Sequence, residues 1–224
     1  MNTSAIYRIL FFILMGGSVS AQQLDTTSAL RAVHLQFKTG ASTEQVLTNP
    51  LWNFLHANTT FREYIKQFTS KSNLQIIGPA ESGKKITVTG LVKDGKGKPV
   101  KKAMVYCYQT DNRGFYAFDT THFFGNEGDR RHARLFGYMV TNAEGKFVLH
   151  SIHPIGYPKS ILPSHIHCEI TAAGYDTMIT ELLFDEDERL TPDQRKRSLQ
   201  EGFVIARASG DNYEYQIKLN KRSR

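Results

Sequence analysis

The 224-residue chain has few of the residues that build disulfide scaffolds or membrane spans. It contains two cysteines, one tryptophan and seven prolines, so at most one intrachain disulfide can form. Its N-terminal apolar run, residues 9–15, is shorter than the about 20 apolar residues that a membrane span requires. No cysteine follows this run, which argues against a lipid anchor. The sequence therefore predicts no membrane span.

The basic charge is scattered along the chain. The formal net charge is +7 at pH 7, and the basic residues are dispersed except in the C-terminal tail, residues 218–224. No repeated pattern of aromatic and basic residues marks a nucleic-acid groove. The charge supports only a modest preference for anionic small molecules or acidic surfaces. We predict no nucleic-acid partner, and the composition is compatible with a homo-oligomer.

The N terminus has the composition of a secretory signal peptide. Arg8 precedes the apolar run, and the small residues Val19 and Ala21 precede Gln22. A positive charge, a short apolar segment and small residues at the end are the parts of a cleavable signal. The sequence predicts a signal peptide over residues 1–21, with export to the periplasm or the medium.

The rest of the chain changes from helical to β character near residue 85. Residues 22–84 predict a helical or irregular cover, in which Ser42 or Thr43 caps a helix and residues 59–68 have helical spacing. Residues 85–224 contain short β-type segments separated by turn residues, and a charged helix near residues 191–200. We therefore predict an all-β fold: one antiparallel β-sandwich domain with N-terminal helical segments and a short C-terminal helix.

Two turns predict hairpins. Residues 94–99, rich in Gly and Pro, separate the segments 86–92 and 103–108, and Asn142–Gly145 separates 137–141 from 146–150. Between these turns, residues 111–136 fit neither helix nor strand, and their aromatic residues favour an ordered loop that lines a site. Cys107 and Cys168 both lie in apolar segments, where either a disulfide or a pair of buried thiols is consistent with the sequence.

Two histidines one residue apart begin a predicted strand. His165 and His167 point to the same face of an extended chain, because alternate side chains share a face. They would supply half of a metal site. Tyr116 and Tyr157, both in turns, are candidates for the other half. A phenol has a pKa near 10, so it binds only a strongly Lewis-acidic ion, and two tyrosines with two histidines indicate Fe(III).

These motifs resemble the intradiol ring-cleavage dioxygenases, the family of catechol 1,2- and protocatechuate 3,4-dioxygenases. The similarity covers about residues 75–186 and lies in residues 88–94, 97–100, 103–109, 113–116, 152–158 and 165–167. By this resemblance Tyr116, Tyr157, His165 and His167 are the ligands of a non-haem Fe(III) centre. The same resemblance implies that Tyr157 is also the catalytic residue, which would leave the metal and take up a substrate proton. The implied reaction cleaves a small aromatic diol with O2 to a cis,cis-muconate-type diacid.

The sequence departs from this family at two positions. Leu162 stands where members usually carry an arginine, and Glu181 where they carry a glutamine. The missing positive charge could come from Lys159 or from an arginine of the long loop. The predicted substrate-pocket residues are therefore Leu162, Glu181, Lys159 and Arg134, with Arg130 and Arg131 as further sources of charge.

Two other protein classes share part of this sequence pattern. A prealbumin-like β-sandwich, which binds or scaffolds without catalysis, would have a segment like residues 88–108. Such a module does not require four metal ligands. A cupin also uses His-x-His but needs a Glu four or five positions later, and Glu169 is only two positions away. We predict a structural role for His150 and His153 and a solvated turn for the acidic run 185–188. His122 and His132 lie in the long loop and are candidates for lining the pocket.

Overall fold

The computed structural model describes residues 25–117 and 132–222. The predicted signal peptide, residues 1–21, lies outside the described residues. His122, a candidate pocket residue, and Arg130 and Arg131, candidate sources of positive charge, also lie outside the described residues. Within the described residues, no helix combines the length and the apolar character that crossing a membrane requires.

Four short helical segments form the N-terminal cover. They are α1 (Thr26–Lys38), α2 (Thr43–Leu47), a 3₁₀ helix (Pro50–Leu55) and α3 (Thr59–Phe68). Ser42 begins α2 with a capping box. The Ser42 hydroxyl accepts from the Gln45 backbone amide, and the Gln45 side-chain oxygen accepts from the Ser42 backbone amide. These reciprocal bonds satisfy two of the amides that a helix start leaves unpaired. The predicted helices at Ser42 and at residues 59–68 are confirmed.

The described residues contain ten strands in two five-stranded sheets. The strands are β1 (Asn73–Gln75), β2 (Lys85–Asp94), β3 (Met104–Gln109), β4 (Leu135–Val140), β5 (Lys146–Ile152), β6 (His165–Thr171), β7 (Met178–Leu183), β8 (Val204–Ile205), β9 (Arg207–Ser209) and β10 (Asn212–Leu219). The first sheet has the order β1-β5-β2-β10-β9 and the second the order β4-β3-β6-β7-β8. Helix α4 (Pro192–Gln200) follows β7, as the sequence predicted.

The sheets are mixed, so the prediction of a purely antiparallel arrangement is wrong. Three pairs run parallel: β1 with β5, β10 with β2, and β7 with β8. The sequence pattern of a strand records which face is buried, not the direction of its neighbour. Parallel pairing here joins strands that are distant in the chain. Strand β1, which lies within the predicted N-terminal cover, is part of the first sheet.

Neither predicted hairpin forms. The turns exist: the Gly97 amide donates to Asp94 O and the Gly145 amide to Asn142 O. However, β2 and β5 belong to the first sheet, whereas β3 and β4 belong to the second. Each turn therefore carries the chain from one sheet to the other, because turn residues specify a reversal and not the partner of the next strand.

The two sheets share one hydrophobic core. Its members include Val88 and Leu149 from the first sheet and Ile166 and Ile170 from the second. The two cysteines lie in this core. Cys107 and Cys168 face each other directly across β3 and β6, with their Sγ atoms 2.7 Å apart, and both are free thiols. Burial raises the pKa of Cys168. Of the two possibilities, the structure contains the buried thiols.

The opposite face of the second sheet carries aromatic residues, and α3 is fixed there by a buried arginine. The Arg62 guanidinium lies 3.6 Å from the centroid of the Phe136 ring. It donates to His56 O at 2.6 Å, Ala133 O at 3.1 Å and the Tyr106 hydroxyl at 2.6 Å. The positive charge of Arg62 is thus stabilised by one ring face and three oxygen acceptors. These contacts connect the helical cover to β3 and to the residues before β4.

We expect Arg62→Met to destabilise the fold by about 3 kcal/mol, because methionine fills the space but leaves three buried acceptors without their donor. Urea unfolding measures this change. Arg31→Met is the control, since Arg31 is an exposed arginine on α1, and a surface substitution changes stability by less than about 0.5 kcal/mol. Equal midpoints for the two variants would show that Arg62 does not anchor the cover.

Candidate metal centre

Four side chains from three separate segments meet at one point. The Tyr157 hydroxyl lies 2.5 Å from the Tyr116 hydroxyl, 3.0 Å from His165 Nε2 and 3.2 Å from His167 Nε2. His167 Nε2 lies 3.1 Å from His165 Nε2 and 2.9 Å from the Tyr116 hydroxyl. The structure therefore brings together all four residues that the sequence predicted as ligands, with their donor atoms facing one another.

The outer nitrogen of each histidine faces an acceptor, which orients the inner nitrogen. His165 Nδ1 lies 2.8 Å from Pro163 O, so Nδ1 carries the proton and Nε2 presents its lone pair to the centre. His167 Nδ1 faces the Glu181 carboxylate at 3.7 Å. Burial, followed by the nearby charge of His165, lowers the pKa of His167 well below 6.5. A neutral imidazole is the form that ligates a metal.

This donor set fits a strongly Lewis-acidic cation. Two imidazole nitrogens and two phenol oxygens, all of them hydrogen-bond acceptors, face one another, and only the two phenol hydroxyls can donate a proton between them. A cation bound between the four atoms would be coordinated by all of them. Zinc usually selects His, Cys and carboxylate ligands, whereas phenolate donors suit a harder and more highly charged ion such as ferric iron.

Strand β6 places the two histidines, and its neighbours support them. His167 pairs with Tyr108 on one side and with Glu181 on the other, so the three side chains form a row across β3, β6 and β7. The rings of Tyr108 and His167 are stacked, with centroids 4.5 Å apart and planes 12° apart. The row fixes the imidazole plane. The sequence alone did not predict that Tyr108 stacks on His167.

A tight turn built by Asp111 presents Tyr116. Asp111 Oδ1 accepts from the amides of Arg113 and Phe115, at 2.8 and 3.1 Å. Gly114 adopts φ +83° in this turn, and a Cβ atom there would lie 2.7 Å from Gly156 O. The turn that carries Tyr116 thus packs backbone to backbone against the turn that carries Tyr157. Only glycine suits this position, because it tolerates positive φ and adds no side chain.

The loop that carries Tyr157 is held from several sides. Thr110 donates through its hydroxyl to Ile155 O at 2.7 Å. At the other end, Asp187 Oδ2 accepts from the Ser164 amide at 2.7 Å, and Arg189 reaches Leu162 O at 3.5 Å. The prediction that residues 185–188 form only a solvated turn is wrong for Asp187, whose carboxylate fixes the start of β6. Nothing in the local sequence indicated this distant partner.

The predicted pocket residues differ in their surroundings. Leu162 is 44% exposed, and Lys159, with φ 62°, is also exposed on the same loop. Glu181 faces both histidines, and burial raises its pKa while the charge of His165 opposes that rise. The Arg134 guanidinium forms ion pairs with Glu81 and, at 3.6 Å, with Asp111.

The other histidines make separate contacts. His150 Nδ1 lies 3.3 Å from the Thr87 hydroxyl in the first sheet. His153 Nδ1 lies 2.9 Å from Pro154 O, and its ring packs 4.1 Å from that of Phe184. These contacts agree with the structural role predicted for both. His132 is half-buried near the start of β4.

Two mixed sheets around one core, with two tyrosines and two histidines converging beside one sheet, define a β-protein with a candidate metal centre. A family model for dioxygenases, Dioxygenase_C, matches residues 59–220. The chain belongs to the intradiol ring-cleavage dioxygenase family.

Individual relatives agree with this placement. The chain is 31% identical over 150 residues to chlorocatechol 1,2-dioxygenase of Rhodococcus opacus, covering 59% of this chain and 56% of the relative. It is 28% identical over 163 residues to the protocatechuate 3,4-dioxygenase beta chain of Burkholderia cepacia, covering 62% and 66%. The match to catechol 1,2-dioxygenase of Candida albicans spans 47% of that protein. The chain thus spans only part of these relatives.

A solved structure shows the same fold. Catechol 1,2-dioxygenase from Pseudomonas arvilla C-1 superposes with a TM-score of 0.53 at 15% identity, covering 99% of this chain and 92% of that one. An intradiol ring-cleavage dioxygenase from Tetranychus urticae gives a TM-score of 0.50 at 23% identity, covering 70% and 89%. At these identities the likeness concerns the fold alone.

Proposed function

We propose that this protein is a non-haem Fe(III)-dependent intradiol dioxygenase that cleaves catechol-like rings with O2 to cis,cis-muconate-type diacids. The observation that carries the proposal is the convergence of Tyr116, Tyr157, His165 and His167, whose donor atoms lie within 3.2 Å of at least two others in the set. The four residues would hold the iron. When bound, Fe(III) would supply the Lewis acidity that makes a coordinated diol reactive toward O2.

Tyr157 is the residue that we assign to proton transfer. Its hydroxyl contacts each of the other three donors, and it lies on a loop and is half-buried, whereas Tyr116 is 4% exposed. A loop residue can move away more easily than one enclosed by the fold. Tyr157 would accept the proton of a substrate hydroxyl at its phenolate oxygen as the diol enters. Tyr116, His165 and His167 would keep their positions and orient the substrate.

Metal analysis combined with oxygen uptake tests the proposal directly. The purified protein is expected to contain about one iron per chain and a visible tyrosinate-to-iron absorption band. It should consume O2 with at least one member of a panel of catechols that includes protocatechuate. A protein that binds no iron and lacks the band would support the alternative, a prealbumin-like binding or scaffold module.

Export is a further part of the proposal, supported by the composition of residues 1–21. Expression of the full chain in a bacterial host, followed by N-terminal sequencing of the soluble protein, checks it. The expected mature protein begins at Gln22 and is recovered from the periplasm or the medium. An uncleaved protein recovered from the cell interior would contradict this assignment.

Leu162→Arg is expected to change the rate or the substrate preference. Leu162 is partly exposed on the loop between Tyr157 and His165, so an arginine there places a positive charge at the edge of the site. A charge at such a position changes the stabilisation of developing negative charge by about tenfold or more in kcat/KM. Ile161→Arg is the control, because Ile161 is the neighbouring residue and is 81% exposed. Unchanged kinetics in Leu162→Arg would refute this role.

A further inference from the structure

The candidate centre has an acidic neighbour that its four donors do not require. Glu181 extends from β7 on the same face as His165 and His167, and its carboxylate oxygens lie 3.7 Å from His167 Nδ1 and 4.0 Å from His165 Nδ1. The three residues could together hold a metal ion. The side chain is 24% exposed, so the carboxylate is largely shielded from water.

No lysine or arginine neutralises this carboxylate in the part of the chain that the structure describes. Its ion-pair partners there are the two histidine rings, and the other charge that acts on it is that of Glu201, which has the same sign. Arg113 forms an ion pair with Asp111, and Arg189 approaches Leu162 O. Lys159 is exposed, so salt and water screen its charge.

A substrate held at the four donors would experience this charge. Glu181 contacts two of the four donor residues, at 3.7 and 4.0 Å, so a diol ring bound there would lie within about one Debye length of its carboxylate at 0.1 M salt. Between partly buried groups at such a distance, the electrostatic interaction amounts to about tenfold in affinity. A carboxylate on the ring would be repelled, and an ammonium group attracted.

We infer that Glu181 determines the substrate class of this site, favouring diols with neutral or cationic substituents over diols that carry a carboxylate. The inference rests on the proposed function, because it assumes that a diol binds at Tyr116, Tyr157, His165 and His167. Leu162, on the loop between Tyr157 and His165, carries no opposing charge. Specificity would thus come from the negative charge of Glu181, which no lysine or arginine among the described residues neutralises.

Three catechols of similar size test this selectivity: 3,4-dihydroxybenzylamine, which is cationic, 4-(hydroxymethyl)catechol, which is neutral, and protocatechuate, which is anionic. Dissociation constants are measured without O2 on the iron-loaded protein, from the change in its visible absorption at mildly alkaline pH. The wild type is expected to bind the cation most tightly and the anion least. Glu181→Gln, which keeps the size of the side chain, should reduce the ratio of cation to anion affinity about tenfold or more.

Glu144→Gln is the matched control. It removes one negative charge from an exposed turn at the other end of β4 and should leave the ratio unchanged. If all three catechols bind and Glu181→Gln leaves the ratio as in the wild type, the inference is overturned while the proposed function stands. If the wild type takes up no iron and binds none of the three, the proposed function fails and the inference fails with it.

Discussion

Tyr157→Phe is expected to lower kcat at least about 10³-fold, while the protein remains folded. The substitution removes one oxygen that contacts the other three donors, at 2.5, 3.0 and 3.2 Å. It therefore removes both a ligand and the group that we assign to proton transfer, and proton transfer alone contributes about 10²–10⁴-fold. The visible absorption of the iron-loaded protein should weaken and shift, because one phenolate remains at Tyr116.

Steady-state oxygen uptake, visible spectra and iron content of Tyr157→Phe measure these effects together. Tyr175→Phe is the control: it removes the hydroxyl of a half-buried tyrosine in the turn between β6 and β7 and should change none of the three. His165→Ala should lose both activity and colour, since it removes a nitrogen ligand. Wild-type turnover and colour in Tyr157→Phe and His165→Ala would remove the basis of the proposed iron site.

Gly114→Ala is expected to reduce iron affinity about 100-fold without unfolding the sheets. Gly114 has φ +83°, and an added Cβ would lie 2.7 Å from Gly156 O and 3.0 Å from Pro158 Cδ. These atoms belong to the turn that carries Tyr157, so the methyl group would push the two tyrosine-bearing turns apart. A metal site tolerates little displacement, because ligand distances must stay within about 0.2 Å of their preferred values.

Gly174→Ala separates backbone strain from this displacement. Gly174 has nearly the same φ, +82°, but an added Cβ would meet no atom within 4 Å. Both variants should lose about 1–2 kcal/mol of stability from positive φ, whereas only Gly114→Ala should lose iron. Competition with a chelator measures iron affinity, and urea unfolding measures stability. Equal iron affinity in the two variants would show that the contact between the turns does not position the ligands.

The sequence was informative wherever an element is specified locally. The prediction that Ser42 or Thr43 caps a helix located the start of α2, and the turn residues near Gly97 and Gly145 predicted two chain reversals. It did not predict which sheet each strand joins. That choice depends on burial against distant strands, such as the parallel partner of β2. Strands β1 and β9, each of three residues, are too short to give a periodic signal.

The candidate site also contains residues that the sequence predicted and residues that it did not. The four candidate donors were found because their order and local motifs resemble a known family. The residues that position them were not found, because their partners are distant in the chain: Gly114 packs on Gly156, and Asp187 binds Ser164. Asp187 looked like part of an ordinary acidic turn, and Tyr108 like an ordinary strand aromatic. Their roles appear only when the strands are arranged in space.

The position of β10 affects how the chain acquires its structure. This last strand lies between β2 and β9, and its residues 212–219 pair with residues 87–94 of β2. The first sheet cannot be completed until residue 219 has emerged from the ribosome. Such long-range pairing slows folding and leaves strand edges open to intermolecular association in the meantime. Until residues 212–219 are available, one edge of β2 therefore stays unpaired.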